Sequence, residues 1–169
     1  MGNRATIIFT ANGDISPAVY LHWNGGPESV YQFLDELDRR HVRADADYEC
    51  ARFVHIVGDF FDQDTTDGLS LGVANGPDAI TPAALRHVRT DHGDNGFYIV
   101  DRTKQPRAIR RFHEHYDWDN PDEERRVTIT EDKPENVTAE ANRAARHSYR
   151  TKDGGFAALF TKMRPNTAD

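Results

Sequence analysis

Apolar residues recur along this chain in two rhythms, and each predicts a different kind of element. Val30, Phe33, Leu34, Leu37 and His41 fall at i, i+3, i+4, i+7 and i+11, the spacing that lines one face of an α-helix. Pro27 suits a first helical position and Glu28 complements the positive end of the helix dipole, so this helix starts at Gly26-Pro27-Glu28. Cys50, Phe53, Val54, Val57 and Phe61 repeat the spacing and predict a second helix over Tyr48 to Phe60. Thr81-Pro82 supplies an N-cap and first-turn proline for a short helix through Val88, and Thr138 to Tyr149 reads as a further helix.

The other rhythm has a period of two. Pro17 to Trp23 alternates, with Val19, Leu21 and Trp23 on one face and Tyr20 and His22 on the other. Thr6 to Thr10 is β-branched and aromatic, and the Asn12-Gly13 turn signal joins it to that strand as a hairpin with a connection several residues long. Leu69 to Val73, Phe97 to Val100, Ala108 to Phe112 and Val127 to Thr130 add short strands, the middle two pairing around Lys104-Gln105-Pro106. Phe156 to Phe160 fits a closing strand or a helical turn. Without strict βαβ alternation the order predicts an α+β fold, a mainly antiparallel sheet of about five or six strands packed by two or three amphipathic helices. It reads as one domain over residues 1–164 with a frayed tail at 165–169.

Composition narrows the function. The chain has 169 residues, 37% of them apolar and 29% charged, enough to bury a core without metal or disulfide staples. Cys50 is the lone cysteine; it lies in an apolar run, which predicts a buried thiol in a reducing cytosol and no internal disulfide. No run approaches the roughly 18 apolar residues that span a bilayer, so a cytoplasmic location without membrane contact is expected. A formal charge of −7 argues against general nucleic-acid binding, which needs clustered cations. One segment departs from that balance: Arg102, Lys104, Arg107, Arg110 and Arg111 read as a solvated hairpin edge or as a patch for an acidic partner.

Candidate chemistry centres on Tyr20 to Glu28, where a strand meets a glycine turn and a helix start. A helix N-terminus preceded by glycines can receive an anion, with His22 and Asn24 as side-chain donors, though Glu28 would repel a phosphate there. The run Tyr20-x-His22-Trp23-Asn24-Gly25-x-Pro27-Glu28 resembles small uncharacterised phage and plasmid proteins that carry aromatic-x-His-Trp-Asp-Gly-Tyr-Pro-Glu at a helix start. Asn24 stands where that motif has aspartate, and Gly26 where it has an aromatic residue. The resemblance implies a mobile-element setting and no particular reaction.

Elsewhere the residues offer two options. His113-x-His115 with Asp117, joined by His92, is a histidine–carboxylate set that could hold a divalent metal if the fold supplied enough ligands. No Gly-x-Ser-x-Gly elbow, phosphate loop or dinucleotide fingerprint occurs. Asp59, Asp62 and Asp64 crowd what reads as a polar loop, where carboxylates could imitate a phosphate backbone and meet a basic surface. The expectation is therefore a cofactor-free protein that binds a host protein or nucleoprotein complex through Tyr20, His22, Asn24, Asp59, Asp62 and Asp64. An anti-CRISPR-like inhibitor of host defence is its narrowest form. The alternative is a metal-assisted hydrolase using His92, His113, His115 and Asp117.

Overall fold

A mixed sheet organises the chain. The computed structural model describes residues 3–61, 71–90, 93–122 and 126–146. Its strands are β1 (Ala5–Ala11), β2 (Asp14–Ile15), β3 (Ala18–Leu21), β4 (Leu71–Ala74), β5 (Phe97–Asp101), β6 (Ala108–Tyr116) and β7 (Val127–Glu131). The helices are α1 (Pro27–Arg39), α2 (Ala46–Phe61), α3 (Pro82–Leu85) and α4 (Pro134–Arg146). In space the strands run β4-β3-β1-β5-β6-β7, with β2 paired to β1 alone. Every pairing is antiparallel except β1 with β5, which run parallel from Thr6 opposite Phe97 to Phe9 opposite Val100. The α+β class expected from the sequence is what the chain adopts.

Burial explains the sequence pattern of the central strand. On one face Ala5, Ile7 and Phe9 of β1 pack with Val19, Leu21, Tyr98 and Val100 beneath α1, α2 and α4. On the other, Ile8, Phe97, Ile99, Phe112 and Ile129 meet Leu85 and Val88, in and just after α3. A strand covered on both faces reads as a continuous apolar run rather than an alternation, hence Ile7-Ile8-Phe9. The predicted helix stripes land inside: Val30, Phe33, Leu34 and Leu37 of α1 and Cys50, Phe53 and Val57 of α2 are buried. Burial also pushes the Cys50 thiol up from its ordinary value, as expected for a packed thiol.

Local differences from the sequence reading have local causes. The β1–β2 connection is a two-residue turn: Ala11 pairs with Asp14, and Asn12 (φ +53°) and Gly13 (φ +95°) are both left-handed, a geometry that Asn-Gly tolerates well. Ser16 then bends the chain toward β3, its Oγ accepting the Phe9 N–H at 3.0 Å and donating to Pro17 O at 2.7 Å. His41 does not continue the α1 stripe, because the helix stops at Arg39 and His41 itself turns left-handed at φ +52°. Helix α4 starts at Pro134, earlier than Thr138, with the proline at its first position. Phe156 to Phe160 and Tyr149 lie outside the described residues. Among the described residues no helix is long and apolar enough to cross a membrane.

Candidate functional site

Strand β3 ends at Leu21, and that fact decides the corner that follows. Past the last paired residue the period of two no longer governs direction, so Trp23 does not share the buried side of Val19 and Leu21. It stands 44% exposed, a correction to the alternation carried through from Pro17. Its indole is nonetheless held. The His22 ring meets it edge-on, with centroids 4.9 Å apart, and His22 Nδ1 shares a 2.8 Å hydrogen bond with the Tyr20 hydroxyl. Tyr20, His22 and Trp23 thus form one ordered aromatic cluster. Asn24 makes the turn in the left-handed region at φ +57°, and its Oδ1 accepts from Ser29 Oγ at 3.4 Å.

The backbone below this cluster leaves no room for a side chain. Gly25 N–H donates to Asn3 O at 2.7 Å, and a Cβ on Gly25 would lie 2.5 Å from the Ala5 nitrogen. Gly26 caps α1 without a side-chain partner. A Cβ there would meet Asn3 Nδ2 at 3.0 Å and Glu28 Oε2 at 3.2 Å. The chain's own carboxylate and amide therefore crowd the helix start where the sequence allowed an anion.

Beneath the corner lies a buried polar network. Tyr98 O–H donates to Gly25 O at 3.1 Å, and the Arg111 guanidinium lies 3.5 Å over the Tyr98 ring. Arg111, 1% exposed, donates to Glu140 Oε1 at 2.9 Å, Asn95 O at 2.7 Å and Phe97 O at 2.9 Å. Tyr31 O–H reaches the same Glu140 oxygen at 3.5 Å. Burial raises both phenols above their ordinary range, so Tyr31 and Tyr98 act as neutral donors. This network ties β5, β6, α1 and α4 to the corner and leaves the aromatic cluster on a rigid base.

The basic segment is a solvated edge only in part: Lys104 and Arg110 are exposed, and the other arginines are buried or half-buried. Arg102 is buried and donates to Asp38 at 2.7 Å and Glu49 at 2.6 Å. Arg107 pairs with Asp35 and Asp38, and Arg110 with Glu131. The arginines are engaged with carboxylates from elements distant in sequence, which a local reading of charge misses. Near Arg107, a groove of about 680 Å³ runs between α1, the β5–β6 turn and α4, with Ile109, Val137 and Ala141 among its apolar lining.

The remaining sequence candidates are dispersed. Asp59 belongs to α2 rather than to a loop, and lies 3.4 Å from Arg40 and 3.6 Å from His55. Asp62, Asp64 and His92 lie outside the described residues. His113 and His115 do share one face of β6, but each turns to a partner across the strand pair: His113 to Asp132 at 3.0 Å and His115 to Thr130 at 2.9 Å. Asp117 uses its carboxylate to accept the Asp119 N–H at 3.2 Å. Among the described residues no three histidine, cysteine or carboxylate side chains gather to hold a metal ion. Tyr116 and Trp118, which the sequence pattern did not single out, emerge as exposed aromatics at the end of β6; their two-residue spacing continuing from the strand was the available signal. Comparison with protein-family models, curated proteins and solved structures finds no match to this chain.

Proposed function

We propose that this chain is a binding protein whose partner-facing surface is the sheet end bearing His22, Trp23, Tyr116 and Trp118. One observation carries the reading. Among the described residues the exposed large hydrophobic side chains are Trp23, Val73, Tyr116 and Trp118, and the three aromatic ones share that end. Leu21, at the close of β3, pairs with the first residue of β1, and Tyr116 runs past the Phe97–Phe112 pair that opens β5. Both groups therefore lie beyond the same end of the sheet, on strands about 15 Å apart, three strand spacings across it.

Aromatic side chains fixed before contact are the usual anchors of protein interfaces, because little rotamer freedom is lost when they are covered. Tyr20 supports this role by fixing His22, and Asn24 by turning the chain away beneath Trp23. The resemblance of the Tyr20 to Glu28 run to phage and plasmid proteins supports a partner from a bacterial host. A host-defence complex, inhibited by occupation of its surface, is the narrowest form of the proposal.

The test compares immobilised wild type, Trp23→Ala and Trp118→Ala in a bacterial host lysate, with eluates quantified by mass spectrometry. The expected result is a protein or complex retained by the wild type and depleted at least tenfold by each variant, with melting temperatures alike. An identical retained set for all three proteins would refute this surface assignment.

A further inference from the structure

The tip of the β6–β7 hairpin carries two aromatic rings that no core takes up. Tyr116 and Trp118 stack with centroids 4.1 Å apart and planes inclined by 32°, and they stand 49% and 74% exposed. A fully covered aromatic side chain buries on the order of 150 to 250 Å², and about half of that for Tyr116 and three quarters for Trp118 is still open to contact.

The rings are presented from a fastened turn. Asp117 N–H donates to Arg126 O at 2.8 Å, extending the strand ladder beyond Tyr116. Asn120 N–H closes the turn onto Asp117 O at 3.3 Å, and Arg126 Nε donates to Asn120 O at 2.8 Å.

Charge decides what such a platform attracts. Glu114, Asp117, Asp119 and Asp122 lie along the same hairpin. Arg126 and Arg86 donate to the backbone carbonyls of Asn120 and Val127, and Asp117 and Asp119 stand on either side of Trp118 in the chain. Aromatic faces attract cations through their quadrupole, and arginine stacks on them by its plane. Nucleic-acid bases also stack on exposed rings, but their phosphates meet repulsion from these carboxylates.

We propose that Tyr116 and Trp118 form a docking site for an arginine side chain on a basic segment of the partner protein. The guanidinium lies against the Trp118 face and the flanking aspartates neutralise its charge. This rests on the reading that this sheet end faces a partner, and it adds the partner's chemistry.

The test uses a short peptide with arginines spaced by glycine and serine, the same peptide with neutral citrulline in place of arginine, and a single-stranded oligothymidine. The chain has two tryptophans, so two indole N–H resonances report the outcome, assigned with Trp118→Ala. The arginine peptide is expected to shift the Trp118 signal and leave that of Trp23 in place. Trp118→Ala should weaken binding about tenfold although it alters no charge, and citrulline should weaken it by at least as much. Asp117→Asn with Asp119→Asn should weaken it several-fold, with the dispersed spectrum of the wild type retained.

Equal affinity of wild type and Trp118→Ala, or of the arginine and citrulline peptides, would overturn the proposal. So would preferential binding of the oligothymidine. If host-partner capture still depends on Trp23 and Trp118 while the arginine peptide ignores Trp118, this inference fails and the broader reading stands.

Discussion

Replacing Glu49 with glutamine should remove part of the pH dependence of folding. Glu49 is fully buried in α2; one carboxylate oxygen receives Arg102 at 2.6 Å, and the other, Oε2, has no hydrogen-bond partner. Burial raises its pKa, the Arg102 charge and hydrogen bond oppose that, and Asp101 and Asp38 add repulsion. The carboxyl is pushed up from 4.5 to about 7. Between those values the folded chain keeps a proton that the unfolded chain has released. Raising the pH through this window therefore favours unfolding. Below pH 4.5 the group costs the fold nothing by ionising; above about 7 the full penalty applies. At about 1.4 kcal/mol per pH unit the displacement amounts to about 3 kcal/mol.

Glu49→Gln keeps an oxygen acceptor for Arg102 and removes the ionisation. Losing the charged partner of a buried arginine has its own cost, so the informative quantity is how the difference between variant and wild type changes with pH. Urea titrations from pH 4.5 to 8.5 at constant ionic strength measure it, and titrations of distant groups cancel in the difference. Stability of Glu49→Gln relative to wild type should rise by about 3 kcal/mol across the window and level off above it. A constant difference would mean that burial does not perturb Glu49. A wild type that gains on the variant as pH rises would mean that the Arg102 pair outweighs burial.

Three further substitutions bear on how the corner is held. Arg111→Met should cost about 3 to 5 kcal/mol in urea denaturation, because Glu140 and two carbonyls lose their buried donor. Gly25→Ala should cost about 3 kcal/mol and shift the near-ultraviolet signal, since its Cβ would press on the Ala5 backbone at 2.5 Å. Trp23→Ala, at an exposed position, should change stability by less than about 1 kcal/mol in the same assay. A larger loss would assign Trp23 to the fold rather than to a partner.

Much of the architecture was legible because it depends on spacing within one element. The α1 and α2 stripes needed only the helical period, and the β5–β6 hairpin only two apolar runs around a turn. What the sequence concealed depends on partners far along the chain. The parallel pairing of β1 with β5 joins Thr6 to Phe97, a separation no local pattern encodes. Arg111 sits in a basic run and looks solvent-seeking, yet Tyr98 below it and Glu140 beside it allow its burial. At the site, Tyr20 and His22 were legible as outward groups on an alternating strand. Trp23 was misplaced because the strand ends two residues earlier, and Tyr116 and Trp118 were hidden by the acidic residues around them.

Hydrogen exchange of the captured complex against the free chain tests the partner-facing surface most directly. New amide protection should concentrate in residues 22–24 and 114–120, leaving the α1–α4 groove and the outer side of α2 as they are in the free protein. Protection confined to that groove or to α2, with the aromatic end of the sheet still exchanging freely, would contradict it.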